Sequence, residues 1–234
     1  MSTTWVPGNH VTGRGQDAVR LLLIISTAAV PVPRPPEGDP ALSDAVAVLE
    51  SQVRLQKLDF WVRNPDFLAD ELVNEYESGG DRDLLEQARA ILDSEEPDVR
   101  RYPMMRFLFG AYEPLDDALA VLRSVHLVVR RKRGTAGRVR RHDYYLTRYG
   151  RDTADRIVRD IPVFAYFAER TRLVARFADG YRGTQLKDRQ YQQEEYRNTA
   201  IGDRIASIAP RVRERLRAYA DPAREHAQRP APVA

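Results

Sequence analysis

The 234-residue sequence contains no cysteine, which excludes disulfide bonds and cysteine-ligated zinc sites. This absence fits a reducing, cytoplasmic environment. Histidine is scarce, and its four copies have no metal-ligand spacing: His10, His126, His142 and His226. Gly-x-Ser-x-Gly, P-loop and dinucleotide-binding patterns are also missing. We therefore expect no cofactor, no metal and no enzymatic activity.

Long hydrophobic runs are missing as well. The longest extends from Leu21 to Val30, about half of the roughly 20 residues that a membrane-spanning helix needs. It follows Arg14 and Arg20, so a signal peptide is an alternative interpretation. No small-residue cleavage site precedes the prolines that follow, and a buried helix fits the same pattern. We expect a cytoplasmic protein with no membrane partner.

Positive charge is concentrated in one segment. Residues 123–151 contain ten basic residues and one acid, Asp143, so the segment carries +9 although the whole chain carries only +3. The rest of the chain is therefore at −6. Arginine outnumbers lysine by 34 to three, a bias that we attribute mainly to a high-GC bacterial genome.

The segment from Met104 to Asp160 predicts a strand, a helix, a β-hairpin and a second helix in that order. Proline near its start and apolar residues at spacings of four and three predict the first helix over 114–125. Two β-prone runs, 127–129 and 144–146, are joined through glycines that can adopt the positive φ of hairpin loops. Thr147 then supplies a side-chain oxygen that can cap the next helix.

This order of elements resembles the C-terminal part of a winged-helix domain. The resemblance rests on three groups of residues: Phe107, Gly110, Tyr112 and Pro114; Leu127 to Val129; and Tyr145, Leu146, Thr147, Gly150 and Ala154. The last group is similar to the Tyr-x-Leu-Thr-x-x-Gly-x-x-x-Ala signature of MarR- and PadR-like winged helices. The match covers about a quarter of the chain. Many relatives have glycine where His126 stands, which predicts a looser helix-to-strand turn here.

The resemblance and the charge together predict that the wing binds DNA. A hairpin with arginines on both sides of a glycine-rich turn can lie along phosphates and release their counterions. The candidate DNA-binding residues are Arg123, Arg130, Arg131, Lys132, Arg133, Arg138, Arg140 and Arg141. Two alternatives are an acidic protein surface as the partner, and a solvated hairpin that is charged for solubility and to prevent edge pairing.

The predicted recognition helix, 114–125, is poorly suited to reading bases. Asp116 and Asp117 are acidic, and only Arg123 and Ser124 near its end are good donors. We therefore favour a non-catalytic accessory subunit of a bacterial multiprotein complex, which contacts DNA largely non-specifically and binds protein partners through its helices. The alternative is a dimeric winged-helix transcriptional regulator. The arrangement is also loosely similar to small middle subunits of bacterial SMC-like or ABC-ATPase antiphage defence systems, which implies an ATPase partner.

The expected fold class is mainly α: a winged helix with a small β-hairpin wing and N- and C-terminal helical extensions. The expected divisions are an N-terminal helix and Pro-rich loop over 1–40, a winged-helix domain with an inserted helix over 41–160, a C-terminal helical extension over 161–220 and a disordered tail over 221–234. Apolar spacing predicts a helix over 41–63, and it and the next helix should pack behind the recognition helix.

Two charged regions have more than one interpretation. Carboxylates on amphipathic helices usually form a solvated face, so we interpret one acidic cluster as surface charge and not as a catalytic or metal site. Its members are Asp66, Asp70, Glu71, Glu75 and Glu77. The basic helix over 203–219 suits acidic protein, DNA or a membrane surface, but we favour a terminal helix packed on the body with its arginines in water.

Overall fold

A computed structural model describes residues 14–36, 38–94, 104–107, 110–112, 114–135 and 137–219. Within these residues the chain is mainly helical, at 62% helix, and its larger sheet has four antiparallel strands. The predicted mainly helical class is therefore confirmed. No helix in this part of the chain is long and apolar enough to span a membrane. The predicted tail over 221–234 lies outside the described residues.

The described residues form α-helices, one 3₁₀ helix and β-strands. In chain order they are α1 (Arg14–Ala28), β1 (Val30–Pro31), a 3₁₀ helix (Pro40–Leu42), β2 (Ala45–Glu50), α2 (Gln52–Arg63), α3 (Pro65–Glu77), α4 (Asp83–Asp93), β3 (Met105–Phe107), β4 (Gly110–Tyr112), α5 (Asp116–Ser124), β5 (Val128–Thr135), β6 (Arg138–Thr147), α6 (Arg148–Asp160), α7 (Val163–Phe177), α8 (Gly183–Gln192), α9 (Glu194–Asn198) and α10 (Ala209–Ala218).

Two compact units make up the chain, and each is formed by two separate segments. The first unit comprises residues 1–49 and 114–165, and the second comprises residues 50–113 and 166–234. The expected winged-helix domain over 41–160 therefore takes residues from both units. Helices α2 and α3, which were expected to pack behind the recognition helix, belong to the second unit.

The predicted helix over 41–63 is wrong in its first half, where the chain forms the 3₁₀ helix and β2. The apolar residues there fit a helical stripe, but Ala45, Ala47 and Leu49 also alternate and are the buried positions of the strand. Pairing of β2 with β1 and β6 selects the second pattern. Short apolar runs of this kind satisfy both periods, and tertiary pairing decides between them.

The first unit is a four-stranded sheet with helices packed against it. The strand order is β1-β2-β6-β5, and β5 and β6 form the predicted hairpin. Helix α1 is buried on several sides, as its apolar run predicts, and packs against α5, α6 and β6. A separate apolar cluster joins Leu42 and Ala45 to Val129 and Tyr145 at the base of the hairpin. The hairpin is thereby anchored at its base.

The turn from α5 into β5 is closed, which corrects the expectation of a looser turn. His126 adopts a left-handed backbone conformation, with φ of 60°. Its N–H donates to the carbonyl of Arg123, and the N–H of Leu127 donates to the carbonyl of Leu122. This pair of hydrogen bonds is the Schellman arrangement, which usually places glycine at the left-handed position. Histidine fills that position here at some cost in backbone strain.

The second unit is held together by an aromatic core. Phe60 packs edge-on against Trp61, Phe67 and Tyr196, and Trp61 packs in the same way against Phe177. Rings in this geometry contribute about 1 kcal/mol per pair beyond the area that they bury. The core joins α2 to α3, α7 and α9, so residues far apart in sequence form one unit.

Three members of the acidic cluster are buried, so its interpretation as a solvated face is wrong for Asp66, Asp70 and Glu71. Asp66 accepts hydrogen bonds from the hydroxyl of Ser207 and the N–H of Ile208, just before α10. Asp70 forms ion pairs with two arginines of α10, Arg211 and Arg215. Helix α10 does pack on the second unit, but these two arginines pair with carboxylates and are only partly exposed to solvent.

Candidate nucleic-acid interface

The hairpin of β5 and β6 is buried at its base and exposed at its tip. Strand pairing runs from Val128 opposite Leu146 to Thr135 opposite Arg138. The register shifts between Arg133 and Gly134, which leaves Arg140 as the extra residue of a β-bulge. Bulges increase local twist and redirect a side chain. The projecting part of the hairpin runs from the Arg131–Asp143 pair to the Thr135–Arg138 pair. It therefore presents Arg140 differently from a regular strand position.

Glycine is required where the hairpin narrows. Gly134 has φ of +153°, and a Cβ there would lie 2.2 Å from the carbonyl oxygen of Arg138. Gly137 has φ of +78°, in the left-handed region that glycine adopts without strain. The predicted role of these two glycines in the turn is consistent with this geometry.

Hydrogen bonds and close packing hold the end of β6 against α6. They involve residues of the signature that resembles MarR- and PadR-like winged helices. The Thr147 hydroxyl donates to the carbonyl oxygen of His126 at 2.8 Å and accepts from the N–H of Gly150 at 2.9 Å. Thr147 therefore caps α6, as predicted. A Cβ at Gly150 would lie 2.1 Å from the carbonyl oxygen of Leu127. Only glycine allows α6 to approach β5 this closely.

A buried carboxylate neutralises part of the hairpin's charge. Asp143 is 1% exposed and pairs with Arg133 at 3.1 Å and with Arg141 at 2.9 Å, Nε to carboxylate oxygen in each case. Arg133 also donates to the hydroxyl of Tyr145. Both arginines keep nearly half of their side-chain surface exposed, at 48% and 42%. They are therefore tied to the hairpin itself but still reach solvent.

Two further candidate residues contact carboxylates outside the hairpin. Arg131 donates to both oxygens of Asp39, and its guanidinium holds the pKa of the Asp39 carboxyl below its usual value. Arg130 pairs at 3.0 Å with Asp116 at the start of α5. The aspartate in this second pair is 72% exposed, so the pair is screened by solvent and weak.

The remaining four candidates make no ion pair with the described residues: Lys132, Arg138 and Arg140 on the hairpin, and Arg123. The first three lie on the projecting part. Arg123 lies in the last turn of α5, next to the base of β5 and at the other end from the tip. The structure thus separates the predicted set into a paired group, one outlier and a group of three. We call the group of three the tip cations, although Lys132 lies one ladder position behind the Arg133–Arg141 pair.

The hairpin stays strongly positive after this pairing. Residues 130–143 contain seven cations, and the three carboxylates that contact them leave a net charge of +4. His142 adds nothing at neutral pH, because burial and then the nearby Arg130 and Lys132 lower its pKa below the ordinary value of 6.5. The positive field at the tip is therefore carried by arginine and lysine alone.

The exposed face of α5 is acidic and apolar. Its buried residues are Ala118, Leu119 and Leu122, which leaves Asp117 and Val121 on the outer side. The side chain of Asp117 is 74% exposed, and that of Asp116 is 72% exposed. Apart from Arg123 and Ser124 at the end of the helix, this face lacks the donors that read base edges.

The second unit contains a polar cavity of about 510 Å³ between α3, α8 and α10. Arg189 in its wall donates to Glu71 at 2.9 Å and to Glu75 at 2.6 Å. Burial raises the pKa of the Glu71 carboxyl, and Arg189 opposes this effect. Arg211 and Arg215 in the same wall pair with Asp70. Because these arginines already bind the unit's own carboxylates, the cavity is a poor anion site.

In the described part of the chain, no group of His, Asp or Glu is arranged to hold a metal ion.

Sequence reasoning missed the three carboxylates that pair with the hairpin. Asp143 was detectable, because it lies directly across the ladder from Arg131 and two positions from the Arg133–Arg141 pair, on the same face. Asp39, 92 residues before Arg131, carried no signal of this contact.

No family model, curated protein or solved structure matches this chain.

Proposed function

We propose that this protein is a non-catalytic DNA-binding subunit whose first unit is a winged helix. It contacts duplex DNA through the tip of the β5–β6 hairpin, largely without sequence preference. The observation that carries the proposal is the group of three tip cations, Lys132, Arg138 and Arg140, on a projecting hairpin with no acid between residues 132 and 141. Like charges gathered at a protruding tip repel one another unless an anion lies between them.

The winged-helix part of the proposal is supported by topology. Strand β2 lies next to β6, and β6 pairs with β5, so the sheet ends in a basic hairpin. Helix α5 precedes this hairpin and α6 follows it directly. The first unit differs from the expected winged-helix pattern in one respect. Helix α5 alone lies between β2 and β5 there, because α2, α3 and α4 belong to the second unit.

The low sequence preference follows from α5. Its outer face offers carboxylates and a valine, and donors only at its end, Arg123 and Ser124, so base reading by this helix is disfavoured and phosphate contact dominates. This composition favours the accessory subunit over the transcriptional regulator. Affinity purification of the tagged protein from its host should recover a large ATPase if the subunit interpretation is correct. Recovery of a homodimer bound to one promoter would favour the regulator.

Fluorescence anisotropy with a random-sequence duplex across a salt series tests the DNA contact. Three phosphate contacts predict a slope of about −2.7 for log K against log salt, or roughly a 40-fold loss of affinity between 50 and 200 mM. Changing Lys132, Arg138 and Arg140 together to Gln should bring the slope close to zero. A matched control changes three exposed arginines of the second unit to Gln: Arg172, Arg176 and Arg197.

The control has the same net charge as the tip variant, so only the location of the lost charge differs. The control should keep the wild-type slope within about 0.5. Circular dichroism shows whether each variant is folded. Wild-type affinity in the tip variant, or no binding by the wild type at 50 mM salt, would refute the proposal.

A further inference from the structure

We infer that the β5–β6 hairpin, and not α5, enters the major groove of B-form duplex DNA. This inference rests on the proposed function and names the form of nucleic acid that the same site takes. It is carried by the dimensions of the projecting part of the hairpin, by the chemistry of its tip and by the composition of α5.

The hairpin is long enough to reach the floor of the major groove. Its projecting part runs from the Arg131–Asp143 pair to the Thr135–Arg138 pair, which is four steps along β5. At about 3.3 Å per residue this part is roughly 13 Å long. The major groove is about 8.5 Å deep, so the tip can contact the floor while the residues behind it remain beside the phosphates.

The width of the hairpin selects between the grooves. Two paired strands lie about 4.8 Å apart and carry side chains on both faces. The major groove, about 12 Å wide, admits a two-stranded ribbon, whereas the minor groove is only about 6 Å wide. The major groove of A-form RNA is deep and too narrow for such a ribbon. Insertion therefore requires B-form DNA.

The residues at the tip suit the walls of the groove. Arg138 and Arg140 carry guanidinium forks that make no ion pair with the described residues, and forks of this kind bind phosphate oxygens. Val139 between them is 50% exposed and offers no hydrogen-bonding group to a particular base. The bulge at Arg140 turns the strand at this point.

Helix α5 is a poor competitor for the same groove. Asp116 at its start pairs with Arg130, and Asp117 in the same turn is 74% exposed. Two carboxylates at the leading end of a helix would face phosphates along both walls of the groove. The resulting repulsion disfavours insertion of α5 relative to insertion of the hairpin.

Competition binding against one labelled duplex tests the inference, with the full chain and a fixed salt concentration. The competitors are the unmodified duplex, the same duplex with glucosylated 5-hydroxymethylcytosine filling the major groove, and double-stranded RNA of the same sequence. A separate arm adds netropsin, which occupies the minor groove of A·T-rich DNA. We expect about tenfold weaker competition by the glucosylated duplex and by RNA, and less than about a twofold effect of netropsin.

Three results overturn the inference, and they differ from failure of the proposed function. Displacement by netropsin with no effect of glucosylation places the hairpin in the minor groove. Equal competition by all three duplexes means that the hairpin stays outside the major groove. Persistence of the glucosylation effect in an Arg138→Gln, Arg140→Gln variant assigns the groove contact to another part of the protein. Loss of the effect in that variant supports the inference. No binding of any duplex by the wild type would instead refute the proposed function.

Discussion

Asp143→Asn should weaken the hairpin and strengthen DNA binding at the same time. Asp143 is the buried acceptor for Arg133 and Arg141, and the substitution keeps its size but removes its charge. The two arginines then lose their internal counter-charge. Because each is nearly half exposed, both can turn to solvent or to a phosphate.

The loss of stability is about 2 kcal/mol. Hydrogen bonds to a charged group contribute about 1.5–3 kcal/mol when buried, but exposed ion pairs contribute less than about 1 kcal/mol, and these two pairs join a buried oxygen to half-exposed nitrogens. The amide keeps one acceptor oxygen for one arginine. Its NH₂ group would face guanidinium donors in a buried site, which adds a desolvation cost.

The gain in binding is a steeper salt dependence. Three tip cations predict a slope of about −2.7, and release of Arg133 and Arg141 raises the number of available cations to five, for a slope of about −4.5. Affinity at low salt should rise accordingly. Few substitutions would be expected to reduce stability and increase affinity together, so the combined result is diagnostic.

Amide hydrogen exchange along β6 measures the loss of stability of the hairpin that Asp143→Asn causes. A loss of about 2 kcal/mol should speed exchange there about 30-fold. Anisotropy in a salt series measures the binding term. The control is Asp152→Asn, an exposed acid of α6 that changes net charge by the same amount without touching the hairpin. Equal affinity gains in both variants, or a drop in affinity for Asp143→Asn, would refute the reasoning.

Two further predictions concern one position in each unit. Gly150→Ala should destabilise the first unit by about 3 kcal/mol, because the new methyl group would meet the carbonyl oxygen of Leu127, and hydrogen exchange in α6 checks this. Lys57 is 1% exposed, donates to Gln190 at 2.7 Å, and burial lowers its pKa to about 7. The unfolded chain therefore holds one more proton between about pH 7 and pH 10, so stability should rise with pH in that range by at most about 4 kcal/mol. Lys57→Met should remove this rise in urea-unfolding midpoints.

Each of these predictions has an internal check. Gly15→Ala, in α1, meets no atom within 4 Å and should be neutral or slightly stabilising, so a loss there as large as at Gly150 would contradict the close-approach argument. For Lys57→Met, an unchanged pH dependence relative to the wild type would show that other groups, and not the buried amine, control stability in this range.

The hairpin could be predicted from sequence because its signals are local. Gly134 and Gly137 mark the turn, and Thr147 followed by Gly150 marks the start of α6. The strands extend further than predicted because arginines, although not typical strand residues, continue the ladder once the apolar base has paired. Backbone pairing is cooperative along a hairpin. The amino-acid composition near the turn is therefore a poor predictor of how long the two strands are.

The elements missed by sequence reasoning depend on partners that are distant in the chain. Ala45 to Leu49 fit a helix and a strand equally, and the choice is made by β6, nearly 100 residues later. Asp70 resembles any solvated carboxylate of an amphipathic helix until Arg211, 141 residues away, is placed beside it. Charge counts along a sequence ignore such pairs, so they overestimate free charge on the hairpin and on α10 alike.

The distribution of ion pairs along the hairpin favours a polynucleotide over an acidic protein surface as the partner. Carboxylates pair with Arg131, Arg133 and Arg141, whereas Lys132, Arg138 and Arg140 pair with no described carboxylate. Two unit charges about 7 Å apart in water repel by roughly 0.6 kcal/mol, so the arrangement has a persistent cost. An acidic protein would offset that cost but carries no condensed counterion layer. Its binding would follow Debye screening and level off at high salt, whereas DNA binding would stay linear in log salt because each contact releases a counterion.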